Sequence, residues 1–124
     1  MLVTTVQKTL PAPIDLARKL VTALEDVQGI DLVLLDLRPA GAFTDFFVIC
    51  SGETKRHLDA LTDETEQAMK ESGAELLHRE GTSDSGWVLL DYVDVVVHLF
   101  STEERERYKL ERVWSTAIPL VRIL

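Results

Sequence analysis

The sequence predicts an α/β domain: a mixed sheet of about five strands with helices packed on it. Three observations carry this expectation. Apolar residues switch between stripes of helical period and short, near-continuous runs, in the order helix, strand, strand, helix, strand, strand, strand, helix. One run passes directly into a helix, and two others are joined by a four-residue turn, so the sheet needs both a crossover and a hairpin. The chain has 124 residues and 13.9 kDa, the size of one domain. Surface scaling leaves roughly 6,700 Å² exposed of about 20,000 Å² in the extended chain, which is enough burial for a core without metals or disulfides.

The elements follow in chain order. Residues 1–12 carry no periodicity and read as a flexible or strand-like lead. Pro13 opens a helix with Leu16, Leu20, Ala23, Leu24 and Val27 on one stripe, and Gly29 stops it. Asp31 to Leu37, with four consecutive apolar residues from Leu32 to Leu35, reads as a strand buried on both faces, ended by Arg38-Pro39-Ala40-Gly41. Phe46 to Cys50 repeats the signal. After Ser51-Gly52, the stripe Thr54, Leu58, Leu61, Thr65, Ala68 and Met69 predicts a helix that finishes near Ser72-Gly73. Residues 75–80 read as extended and 81–86 as a glycine-bounded loop. Trp87 to Leu90 and Val95 to Phe100 then flank Asp91-Tyr92-Val93-Asp94 as an antiparallel pair. Three consecutive valines place the second of these strands centrally. Ser101-Thr102-Glu103-Glu104 has the form of a capping box, and helical pattern continues from Arg105 to Trp114. The domain is therefore expected over residues 13–118, with 119–124 as a C-terminal tail.

Composition narrows the function. Acids number 21 and bases 13, a net charge of −8. That argues against binding DNA or any phosphate backbone and for a basic protein partner. The longest apolar runs are far short of the ~20 residues of a membrane-spanning helix, and Met1 to Thr5 lacks the start of a signal peptide. A cytoplasmic protein is expected, or an organellar one after removal of its presequence. The lone Cys50 excludes disulfide frameworks and cysteine-based zinc motifs, and reads as a buried small hydrophobe.

Candidate chemistry is sparse. Asp91 and Asp94 could hold Mg²⁺ in a metal-dependent nucleotidyltransferase, the alternative reading. Residues three apart on a strand point to opposite faces, however, and Ser51-Gly52 is followed by no basic phosphate loop. Acids at a hairpin turn also satisfy local backbone donors. His57, His78 and His98 lie in separate segments without ligand spacing, so no metal or other cofactor is expected; His98 reads as a hydrogen-bonded sheet histidine. Glu103 and Glu104 suit a helix start. Trp87 and Tyr92 bracket a strand beside Glu80, Asp84, Asp91 and Asp94, a stretch with four acids and no base. Aromatic rings among acids are what a docking surface for a basic partner requires.

These residues carry a resemblance. Thr44 to Gly52, Arg56, Trp87-Val88-Leu89-Leu90-Asp91-Tyr92, Asp94 to Phe100, Glu104-Arg105 and Tyr108-x-Leu110-Glu111-x-x-Trp114 are similar to the ribosomal silencing factor, or Iojap-like, family, over residues 14–114. The resemblance implies a nucleotidyltransferase-like fold without enzyme activity. It implies a factor that binds a basic large-subunit ribosomal protein, the fourteenth, at the subunit interface, blocks joining of the small subunit and lowers translation under nutrient limitation. It further implies homodimers when free, although the residues do not rank dimer against monomer. Carried over by position, the interface candidates are Trp87, Leu89, Leu90, Asp91, Tyr92 and Asp94, with Glu103, Glu104 and Arg105 at the edge; Thr44 and Asp45 read as structural. Two positions depart from the pattern. Phe46 stands where Tyr is common, and Val93 where Gly is usual, so the turn either avoids positive φ or is reshaped.

Overall fold

The computed structural model describes residues 11–110 and 116–124. Helix α1 (Pro13–Asp26) leads into strands β1 (Ile30–Asp36) and β2 (Phe46–Gly52), which a single turn of 3₁₀ helix at Arg38–Ala40 separates. Helix α2 (Lys55–Glu71), β3 (His78–Glu80), a second such turn at Ser83–Ser85, β4 (Trp87–Asp91), β5 (Val95–Ser101), α3 (Thr102–Tyr108) and β6 (Ile118–Ile123) follow. The six strands form one sheet in the order β3-β4-β5-β2-β1-β6. Only β2 and β5 run parallel, and α2 with the β3–β4 pair fills the crossover between them.

Helix starts follow the local chemistry. Pro13 occupies the first turn of α1, where its missing N–H costs nothing. Thr54 caps α2 by accepting from His57 N at 3.0 Å, and Ser101 caps α3 by accepting from Glu104 N at 3.2 Å. Helix α3 ends at Tyr108, where Lys109 turns left-handed with φ 45°; Leu110 is helical again, and the rest of the helical pattern read as far as Trp114 lies outside the described residues.

The sheet has two unlike faces. Helices α1 and α2 cover the first, packing Leu16, Leu20, Leu24, Leu58, Leu61 and Met69 on Leu32, Leu34, Val48, Val88, Leu90, Val97 and Leu99. The second face carries a smaller cluster, Val33, Leu35, Phe47, Ile49, Val96 and Phe100, with Trp87 and Leu89 at its half-buried margin. Strands β1, β2 and β5 are buried on both sides along most of their length, as their continuous apolar runs require. Cys50 sits in the first-face core, where burial pushes its thiol up to about 12.

Residues 119–124 are not a tail. Ile118–Ile123 pairs antiparallel with β1 as the sixth strand and one sheet edge. Pro119 reads as a terminator in sequence, yet an edge strand tolerates proline because one side of its backbone has no ladder to donate to. Arg122 fastens this strand by a two-pronged contact to Asp31, Nε to Oδ1 and Nη2 to Oδ2 at 3.2 Å each.

The β4–β5 connection keeps positive φ at Val93 (74°). Asp94 N donates to Tyr92 O at 3.0 Å, closing a γ-turn around Val93. Its neighbours hold it there: Val93 N donates to Asp91 Oδ1 at 2.8 Å and Thr44 Oγ1 donates to Val93 O at 2.8 Å. Phe46 N and Asp45 N both donate to Asp94 O, so Thr44 and Asp45 brace the hairpin. A β-branched residue at this φ is strained, and the exposed Val93 side chain gains little burial in return. Val93→Gly is therefore expected to stabilise the fold by about 1 kcal/mol, roughly 3 to 5 °C in Tm by calorimetry. An unchanged or lower Tm would show that the turn is not strained.

Candidate functional site: an aromatic and acidic sheet face

Strand β4 alternates, and the alternation divides the predicted interface residues. Trp87, Leu89 and Asp91 point to the second face, half-buried, whereas Val88, Leu90 and Tyr92 point under α1 and α2. Leu90 is 0% exposed and Tyr92 8%. Burial is the main reason that the Tyr92 hydroxyl is pushed up to about 12, with the Glu66 charge adding to it. Leu90 is core and cannot touch a partner of the folded chain; Tyr92 is largely buried and lines an open cavity with Glu66, Lys70 and Leu76 on the helix-covered side, away from Trp87. Asp94 is exposed at the hairpin tip. Asp91 divides its work, since one carboxylate oxygen holds Val93 N in the turn.

Around Trp87 the second face carries a continuous run of rings. Its indole lies 4.8 Å from Phe100, 4.6 Å from Tyr108 and 5.9 Å from His98, centroid to centroid. His98 meets Phe47 edge-on at 4.5 Å, and Phe47 meets Phe43 at 6.0 Å. Phe43 is 71% exposed and Tyr108 is also exposed, so both ends of the run reach solvent. Phe43 went unnoticed in the sequence because it lies in a loop with no period. A phenylalanine between Ala42 and Thr44 that no apolar pattern absorbs is the signal that could have found it.

His98 fixes the middle of the run. It is 3% exposed, and its Nδ1 accepts from Trp87 Nε1 at 3.2 Å, so the neutral ring carries its proton on Nε2. That nitrogen is buried without a partner among the described residues. Burial lowers the group from 6.5 to about 3. It is the hydrogen-bonded sheet histidine that the sequence predicts.

Acids rim this face. Glu80 lies opposite Leu89 in the β3–β4 ladder, and His78 lies opposite Asp91. Glu104, half-buried, faces the Gly81–Ser85 loop across a cavity that Trp87, Leu89 and Tyr108 also line. Two glycines allow that approach. A Cβ on Gly81 would lie 1.9 Å from Trp87 O, and one on Gly86 would lie 2.8 Å from Glu104 Cγ. Glu103 is exposed on α3, beside a polar groove that Asp84, Lys55 and Glu53 share.

Arg105 does not stand at the edge of this surface. It is 7% exposed; Nη1 donates to Ser51 Oγ at 3.0 Å, and Nη2 lies 3.5 Å from Asp31 Oδ2. The guanidinium thus ties α3 to the end of β2 and the start of β1. Arg105→Met is expected to lower stability by about 2 to 3 kcal/mol, against less than about 0.5 kcal/mol for Glu103→Ala, in urea unfolding. Equal effects would return Arg105 to the surface. Among the described residues no three His, Cys, Asp or Glu side chains converge as metal ligands, and no helix is long and apolar enough to cross a membrane.

Comparison with known proteins places this architecture. The model of the family described as "ribosomal silencing factor during starvation" matches residues 10–123. The ribosomal silencing factor RsfS of Halalkalibacterium halodurans is 35% identical over 103 residues, 83% of this chain and 88% of that protein. A mouse protein named mitochondrial assembly of ribosomal large subunit protein 1 is 31% identical over 99 residues, 77% of this chain and 43% of its own length. A crystal structure of a Chromobacterium violaceum protein superposes with a TM-score of 0.80 at 27% identity, covering 92% of this chain and 95% of that one. The chain belongs to the ribosomal silencing factor family, and its role lies in ribosome silencing.

Proposed function

We propose that the chain binds the large ribosomal subunit through a basic large-subunit protein, the fourteenth, at the subunit interface, and that its bulk there keeps the small subunit from joining. No bond is made or broken in this mechanism. The chain acts by occupying surface, as a regulator of translation in the cytoplasm. The observation that carries the reading is the composition of the second sheet face: half-exposed Trp87 and Leu89, exposed Phe43 and Tyr108, and a border of Glu80, Asp91, Asp94 and Glu104. Aromatic anchors inside a charged rim are the anatomy of a protein-docking surface, and a rim of one sign selects a partner of the other. The net charge of −8 steers the chain toward a cationic target and away from bare RNA. A standard interface of about 1,600 Å² takes about 800 Å² from each partner, roughly a tenth of the 7542 Å² surface here.

The test is co-sedimentation with purified large and small subunits, followed by light scattering of subunit joining. The chain is expected to pellet with large subunits only, more weakly as salt rises, and to slow joining in proportion to occupancy. Absence of the chain from the large-subunit pellet at low salt would end this reading. Joining at the normal rate on fully occupied subunits would end the steric part of it.

A further inference from the structure

We propose that the cavity between β3, β4 and α3 is a receptor for a single cationic side chain, an arginine or lysine of the basic partner, so that this one residue is the specificity element of docking. The inference rests on the docking reading above and deepens it by naming the chemistry that the site takes.

The cavity has a volume of about 240 Å³ and is lined by Glu80, Gly81, Ser85, Trp87, Leu89, Glu104 and Tyr108. At ~30 Å³ per water it holds about eight waters, which is room for one long side chain and not for a helix or strand. Its walls are of two kinds. Trp87 and Tyr108, with centroids 4.6 Å apart and planes tilted by 48°, supply ring surface, and Leu89 supplies an apolar floor. Glu80 and Glu104 supply carboxylates from two different elements, a strand and a helix. An aliphatic guest would leave both carboxylates partly desolvated with nothing in return, and an anion would be repelled. A guanidinium or ammonium on an apolar stem satisfies rings and acids together, because the ring faces and the carboxylates both favour positive charge.

The chain already shows the preference. The Arg107 guanidinium lies 5.9 Å from the Tyr108 centroid, and its Nη1 is 3.8 Å from Glu104 Oε1. Nearby, His78 Nε2 is 2.9 Å from Glu80 Oε1. Both resident contacts are at the exposed border, so a guest entering from the partner competes with solvated groups only. The glycines at 81 and 86 keep the loop close enough to form the remaining wall, as a Cβ at either would collide with Trp87 O or the Glu104 side chain.

Two measurements test the proposal. In the first, Glu80→Gln with Glu104→Gln, and separately Tyr108→Leu, are expected to weaken large-subunit binding by about tenfold or more each, whereas Asp63→Asn, an exposed acid of α2 on the helix-covered side of the sheet, leaves it unchanged. In the second, Trp114→Phe leaves Trp87 as the only tryptophan, and its emission is followed as N-acetyl-arginine amide or the uncharged N-acetyl-citrulline amide is added. The arginine compound is expected to give a saturable change that the double glutamine variant loses, and the citrulline compound is not. Wild-type affinity in the double variant, or a citrulline response equal to that of arginine, overturns the receptor while the docking surface stands. If the native chain binds no large subunits, the docking reading has failed instead, and the amide comparison still decides the cavity by itself.

Discussion

Between pH 7 and pH 4 the fold is expected to lose about 3 kcal/mol of stability through one side chain, His98. Burial beneath Trp87 lowers this imidazole from 6.5 to about 3. The folded chain therefore keeps it neutral in a range where the unfolded chain binds a proton. Stability is fully present above pH 6.5 and declines as the pH falls toward 3, by about 1.4 kcal/mol for each unit in between. With a total of about 5 to 15 kcal/mol for a domain of this kind, the loss is a large fraction. Asp36 acts in a different window. The Arg38 hydrogen bonds hold its carboxyl below the usual 3.8, so its contribution persists above that value and disappears only as the pH falls through the lower one. The measurement is urea unfolding of the native chain and His98→Gln at pH 7, 6, 5 and 4. The variant is expected to start less stable and to change less with pH; parallel curves would remove His98 as the cause.

Much of the fold was legible because local chemistry and long-range packing agree. Thr54 and Ser101 cap helices with side chains that need no distant partner, and the valines of β5 lie in a strand covered on both faces because no polar residue interrupts them. Legibility stops where a residue's fate depends on a partner far along the chain. Pro119 looks like an end until β1 is there to pair with Ile118–Ile123. Arg105 looks like a surface cation, and the ligands that bury it are Ser51 and Asp31, 54 and 74 residues away in sequence. The site was half legible for a subtler reason. The Trp87 to Tyr92 block reads as one motif, yet in a strand neighbours face opposite ways, so the same six residues serve a docking face and a core. Val93 shows a third case: its residue type argues against positive φ, and five hydrogen bonds at the hairpin impose that φ regardless.

That division of β4 gives an expected result that separates docking from folding within one strand. Trp87→Ala removes the central ring of the exposed face and is expected to weaken large-subunit binding by about 2 to 4 kcal/mol, roughly 30- to 1,000-fold. Leu90→Ala, three residues on and under α1 and α2, creates a core cavity and is expected to cost about 2 to 5 kcal/mol of stability. It touches no surface, so the fraction that remains folded should bind with native affinity. Asp91→Lys belongs with Trp87, since it places a cation on the same face and opposes a cationic partner, although part of its effect comes from releasing Val93 N. Binding is measured by co-sedimentation at a temperature where calorimetry shows each variant folded. If folded Leu90→Ala loses the large subunit as Trp87→Ala does, the partner must reach the helix-covered face, and the assignment of docking to the other side of the sheet is wrong. If Trp87→Ala binds normally while Leu90→Ala merely unfolds, the ring cluster is a second core rather than an anchor.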